Sequence, residues 1–82
     1  MTIVQVTFET DVCAALGKTP EVVSEELKVA AAIFWYARGQ VSQGKAAEIA
    51  GLSRAAFLDV LAEAGVPACQ EEIDDIREQL RR

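Results

Sequence analysis

Histidine is absent from the 82 residues, and that absence removes whole classes of chemistry. There is no imidazole to act as the base of a Ser-His-Asp or Cys-His pair, and no His-containing zinc site can be assembled. Cysteine is scarce. Cys13 and Cys69 stand 56 positions apart and no CxxC occurs, so neither a dithiol redox motif nor a four-ligand metal site is available. The expectation is two reduced thiols in a cytoplasmic protein. There is no glycine-rich phosphate loop, and Ser24, Ser53 and the two thiols have no histidine to activate them. No catalytic residue, metal or cofactor is therefore assigned. Long apolar runs are missing too. The longest covers residues 29–37, nine positions, about half of the roughly 20 that a membrane-crossing helix needs. The opening MTIVQVTFETDV lacks a basic region followed by an apolar core, so it does not read as a signal peptide, and no membrane association is expected.

Basic residues are also few. Eight Lys and Arg against thirteen Asp and Glu give a net charge of −5, where a nucleic-acid binder ordinarily shows a basic excess. Charged residues are 26% of the chain, which is usual for a globular protein and not a mark of disorder. Apolar residues are 51%, but fourteen of them are alanine, so large apolar side chains are fewer than the percentage suggests. A chain of this length buries only about 60–65% of its unfolded surface, which favours association with a second copy or a partner.

What is present reads as follows. In residues 3–8, Val4, Val6 and Phe8 alternate with Ile3, Gln5 and Thr7. That predicts an N-terminal β-strand whose apolar side covers the core. Glu9, Thr10 and Asp11 offer a turn and a cap for a short helix over 11–16, closed by Gly17. Thr19, Pro20 and Glu21 open the longest helix with a capping hydroxyl, a first-position proline and an acid at the positive dipole end. Gly39 closes it after Arg38. Val23, Leu27, Ala30, Phe34 and Ala37 form one stripe of this helix, Val29, Ile33 and Tyr36 a second, and Trp35 lies between them. A surface helix shows one apolar face, whereas residues 29–37 are apolar all round. One side is therefore expected to meet a second chain; the alternative is a central helix enclosed by its own monomer. Val29, Ile33, Phe34, Trp35 and Tyr36 are the residues expected at a homodimer interface.

Ser42 caps a helix over 43–50, residues 51–53 turn, Ser53 caps a second helix over 54–64, and Gly65 ends it. Pro67 disfavours helix at Val66, so residues 66–69 can form a short second strand against 3–8. The expected fold is mainly α: an N-terminal β-strand followed by a helical bundle that contains a helix-turn-helix. Residues 1–69 would be the dimerising domain and residues 70–82 a charged C-terminal helical tail.

The stretch 42–65 meets the demands of a helix-turn-helix: a small residue where the helices touch, a turn glycine and apolar anchors at fixed offsets. Ala47 is the contact residue and Gly51 the turn glycine. Leu52 tucks beneath the turn, Ala46 and Ala50 face inward, and Phe57 and Val60 plug the second helix into the core. Ser42, Lys45, Ser53, Arg54 and Ala55 are the candidate DNA contacts. Arg54 is a guanine reader by type, Lys45 a phosphate contact, and Ser42 and Ser53 mark helix N-termini whose amides face anions. Leu58, Asp59 and Ala62 complete the outward face. Lys45 and Arg54 are outnumbered by Glu48, Asp59 and Glu63, so one copy should bind DNA weakly and two copies should read two half-sites. An ordinary αα-hairpin with no nucleic-acid role is the alternative. A ribbon-helix-helix layout, with Gln5 and Thr7 reading from the strand, fits less well, because the first helix is short and the strand has no Lys or Arg.

In this order of segments, with Gly44-Lys45-Ala46-Ala47-Glu48, Ala50-Gly51-Leu52-Ser53-Arg54, Phe57-Leu58 and Gly65-Val66-Pro67, nearly the whole chain resembles a small prokaryotic family of uncharacterised helix-turn-helix proteins held to be antitoxins. The resemblance implies an antitoxin of a type II toxin-antitoxin pair, with a PIN-domain ribonuclease as the toxin and an operator as the DNA.

The tail, QEEIDDIREQLRR, has five acids and three bases. Ile73, Ile76 and Leu80 fall at i, i+3 and i+7 on one helical stripe, which either packs on its own domain or enters a partner's groove. Glu71, Glu72, Asp74 and Asp75 suit a basic surface. PIN-type toxins hold metal with carboxylates, so the resemblance implies that Arg77, Arg81 or Arg82 pairs with those acids. Ile73, Ile76, Arg77, Leu80 and Arg81 are the candidate partner-binding residues. The expected function is transcription regulation and toxin binding by a cytoplasmic homodimer. The alternatives are an interaction adaptor whose helix-turn-helix is only a scaffold, and a stand-alone DNA-binding transcriptional regulator.

Overall fold

The computed structural model describes residues 1–68, and the expectations for the tail, on Ile73, Ile76, Arg77, Leu80 and Arg81, lie outside the described residues. Four helices follow in chain order: α1 (Val12–Leu16), α2 (Pro20–Ala37), α3 (Gln43–Ala50) and α4 (Arg54–Ala64). Each starts at a side-chain oxygen that accepts one of the N–H groups a helix leaves unpaired at its first turn. Asp11 accepts from the Ala14 amide at 3.0 Å and Thr19 from Val22 at 3.3 Å. Ser42 accepts from Lys45 and Ser53 from Ala56, both at 3.1 Å. Pro20 fills the first position of α2, where its missing N–H costs nothing.

α2 packs on α3 and α3 on α4. The centre of the packing is Ala32 of α2, Ala46, Ala47 and Ala50 of α3, and Phe57 and Leu61 of α4, all within 2% of complete burial. The methyl side chains on α2 and α3 let the two backbones come close, and Phe57 fills the space that remains. Tyr36 meets the Phe57 ring edge to face, with centroids 6.1 Å apart and an interplanar angle of 85°, a favoured geometry for aromatic pairs. Val29, Ile33 and Tyr36 of α2, with Val41, Ile49, Leu52, Leu58, Val60, Val66 and Ala68, are half-buried around this centre.

Two expectations are corrected. Residues 3–8 form no strand, and neither do residues 66–68; among the described residues there is no β-structure. Alternation is a property of a sequence, whereas a strand exists only against a partner that takes up its N–H and C=O groups. Residues 1–8 are exposed throughout, so Val4 (74%), Val6 (58%) and Phe8 (46%) do not cover the core. Residues 66–68 do not run beside them: Val66 donates its N–H to the Leu61 carbonyl at 2.9 Å, and Val66 and Ala68 pack on the helical core. The ribbon-helix-helix layout, with Gln5 and Thr7 as readers on a strand, falls with the strand.

Candidate nucleic-acid interface

The helix-turn-helix is α3, the turn 51–53 and α4. Its turn is set by Gly51, whose φ of +73° is left-handed and disfavoured for any residue with a Cβ. The Gly51 and Leu52 amides close back onto Glu48 and Ala47 carbonyls at 3.1 and 2.9 Å, which satisfies the last acceptors of α3 and turns the chain into the Ser53 cap. Leu61 is an anchor that the sequence reading passed over in favour of Val60: Leu61 is 1% exposed and Val60 only half-buried. The signal was available, because Leu61 follows Phe57 at i+4 on the same helical face.

The candidate contact residues fall at the two helix starts. Ser42 and Ser53 are exposed, but their hydroxyls are occupied as caps. Lys45 is exposed and its ammonium pairs with Glu48, one turn on, at 2.7 Å. The hydrogen bond to Lys45, and then the charge attraction, hold the Glu48 carboxyl below its ordinary range. The same two causes raise Lys45. Arg54, at the first position of α4, is half-buried and lies back over α3: a methyl group built on Gly44 would sit 4.0 Å from its Nε. Ala55 is half-buried beside it, while Asp59, Ala62 and Glu63 face solvent. Gln43, at the start of α3, is fully buried, and both Gln43 and Arg54 are engaged by other groups of the protein. The sequence reading did not find Gln43, because nothing in its neighbours distinguishes a buried glutamine from a solvated one.

On the other side of the turn, α2 and the 50–52 segment enclose a groove of about 390 Å³ lined by Val29, Ala30, Ile33 and Leu52 together with Glu25 and Glu26. Lys28 pairs with Glu25 at 3.0 Å and Lys18 pairs with Glu26. An apolar groove with two carboxylates does not suit a phosphate. The five residues expected at a dimer interface separate. Val29, Ile33 and Tyr36 are turned to the protein's own core, whereas Phe34 and Trp35 are 56% and 39% exposed. Among the described residues no group of three or more Cys, Asp or Glu is gathered that could hold a metal, and no helix is long and apolar enough to cross a membrane.

These features define a small helical protein built on a helix-turn-helix with an acidic surface. The chain belongs to the uncharacterised protein family UPF0175, whose model matches residues 1–82. A UPF0175 protein of Aeropyrum pernix is 34% identical over 70 residues, which cover 85% of this chain and 78% of the relative. No solved structure matches the chain.

Proposed function

We propose that the protein is a cytoplasmic, non-catalytic antitoxin that binds its operator through α3 and α4 as a pair of copies, and binds a toxin, a PIN-domain ribonuclease by the resemblance above, through residues 70–82. The observation that carries the DNA half is the helix-turn-helix itself. Its contact alanine, turn glycine and two α4 anchors are all in place, so α4 is held rigidly with Ser53, Arg54 and Ala55 at its leading turn. That is the part of a recognition helix that meets base edges. The toxin half rests on the Ile73, Ile76 and Leu80 stripe with Arg77 and Arg81.

Affinity for DNA is low in this reading. Lys45 is paired with Glu48, and Arg54 lies half-buried over Gly44. Those same two observations favour a second reading, an interaction adaptor that keeps the helix-turn-helix as scaffold. Titration of a fluorescent fragment of the protein's own promoter separates them. Under the DNA reading, Arg54→Ala costs about 1–3 kcal/mol of binding and relaxes preference at one base pair per half-site. Equal affinity of the wild type for promoter and random DNA, unchanged in Arg54→Ala, leaves the adaptor. Deleting residues 70–82 should abolish toxin neutralisation and leave promoter binding; a deletion that neutralises as well as the full chain removes the toxin half.

A further inference from the structure

The groove between α2 and the 50–52 segment has no role in the reading above. Its lining combines the small residues Ala30, Ala50 and Gly51 with Val29, Ile33 and Leu52, the last three only half-buried. Its volume of about 390 Å³ falls in the roughly 300–1,000 Å³ range of clefts that hold a ligand. Acids stand at one end of it, because Glu25 and Glu26 precede the apolar lining residues of α2. Lys28 and Lys18 each engage the Oε1 atom of one of them, yet the two glutamate side chains stay 68% and 49% exposed, and a carboxylate accepts from more than one donor. The chain itself carries a segment of matching chemistry. In helical spacing Ile73, Ile76 and Leu80 share one stripe, Arg77 and Arg81 border it on one side, and Glu71 and Asp75 fall opposite. Its charge is lopsided: residues 70–75 hold four acids and no base, residues 77–82 three bases and one acid.

We propose that residues 70–82 dock as a helix in this groove of their own chain, antiparallel to α2, with Ile76 over Ala30 and with Arg77 and Arg81 at Glu25 and Glu26. An amphipathic helix laid by its apolar stripe into an apolar groove is a recurring mode of recognition. The direction follows from charge. The acids of the groove lie toward the start of α2 and the bases of the segment toward its end, so the antiparallel orientation joins them and carries Glu71, Glu72, Asp74 and Asp75 away from Glu25 and Glu26. Reach allows the docking within one chain. The 11 residues of α4 lead away from the turn by about 16 Å. After Gly65 the Val66 N–H closes back on the Leu61 carbonyl, and Val66 and Ala68 pack on the core. The five residues from Ala68 to Ile73 span up to about 17 Å, enough to return to the groove. A short tether holds a segment at an effective concentration on the order of mM, which a second copy at micromolar concentration does not match. Docking covers the same stripe that the reading above gives to a toxin, so a toxin has to displace the segment from its groove. The docking itself needs neither toxin nor DNA.

The full chain alone, at micromolar concentration, tests it. In a Cys13→Ser, Cys69→Ser background, Ala30→Cys with Ile76→Cys should oxidise within one chain, losing both free thiols at unchanged chain mass, because a disulfide needs its two Cβ atoms about 3.5–4.5 Å apart. Ala30→Cys with Asp75→Cys, on the far side of the segment, should keep its thiols. Failure of the first pair to couple, equal coupling of both pairs, or a product of twice the chain mass, which would put the segment on a second copy, overturns the proposal. A second readout leaves Ala30 and Ile76 in place. Followed by carbon-13 NMR, Leu80→Asp should shift the methyl signals of Val29, Ile33 and Leu52 with unchanged helical circular dichroism, and Arg77→Glu should shift them the same way. Methyl signals that stay at their wild-type positions in Leu80→Asp overturn the docking. Signals that move in Leu80→Asp but not in Arg77→Glu overturn the antiparallel direction. No toxin or DNA enters either measurement, so failure of the docking and failure of the antitoxin reading are separate results.

Discussion

The two halves of the described chain differ in how completely each buries its own apolar residues. Among the described residues, every exposed large apolar side chain lies at or before Trp35. Residues 42–65 hold two capped helices, a glycine turn and five of the six most buried core positions. Residues 1–38 hold an exposed leading segment, the five-residue α1 with no buried residue, and an α2 that is half core and half bare. The helix-turn-helix is thus finished within one chain once α2 is laid on it. The amino-terminal half leaves large apolar side chains open. Stability should be concentrated in the first region, association in the second.

The largest expected effect tests that division directly. Phe57→Ala removes a ring that is fully buried and should cost about 3–5 kcal/mol, a large part of the ~5–15 kcal/mol that holds a domain together. Phe34→Ala, read by urea unfolding below the concentration at which copies associate, should fall within about 0.5 kcal/mol of wild type, as surface changes do. Equal losses at the two positions would end the comparison. The turn comes next. At Gly51 no atom lies within 4 Å of an added methyl, so Gly51→Ala measures backbone strain alone and should cost roughly 1–2 kcal/mol. Gly44 has no such positive φ, so Gly44→Ala should be neutral or slightly stabilising by the same unfolding assay. A cap contrast is smaller. Ser53→Ala should cost about 1 kcal/mol, while Asp11→Ala should leave the main transition unmoved, because α1 buries nothing.

The smallest effect is electrostatic. Glu48 titrates below its ordinary range, so its pairing with Lys45 strengthens the fold above the unfolded carboxyl pKa and is lost as pH falls through the folded one. Lys45 is raised, so its share is present below the unfolded amine pKa and is lost as pH rises through the folded one. Both groups are solvated, and an exposed pair of this kind contributes little to stability. Glu48→Gln should therefore leave the melting temperature alone, lower the Lys45 pKa followed by NMR, and steepen the salt dependence of promoter binding by roughly one ion. An unchanged salt slope would mean that Lys45 touches no phosphate.

Much of the helical framework was legible in local chemistry. Thr19 with Pro20, Ser42, Ser53 and Gly51 act on their own few neighbours, and such short-range bonds form wherever the residues occur together. Within the site, the positions of Ser53, Arg54 and Gly51 followed from the same rules. The partnership of Lys45 with Glu48 could have been read from their i,i+3 spacing and was missed. The strands were not legible, because the alternation of Ile3, Val4, Gln5, Val6, Thr7 and Phe8 describes a surface and not the partner that would complete it.

The sequence by itself determined where each helix begins and ends, which residues could serve the turn, and that α2 has more apolar surface than one face can bury. Only the tertiary structure decided which of its two stripes faces inward. Val29, Ile33 and Tyr36 compete with Leu27, Ala30 and Phe34 on nearly equal terms of hydrophobicity. The choice falls to the first set because the fit of Ala32 against the α3 alanines, and of Tyr36 against Phe57, depends on shapes that meet only when the helices have packed. The same packing turned Arg54 back over Gly44 and buried Gln43, two outcomes that no spacing rule contains.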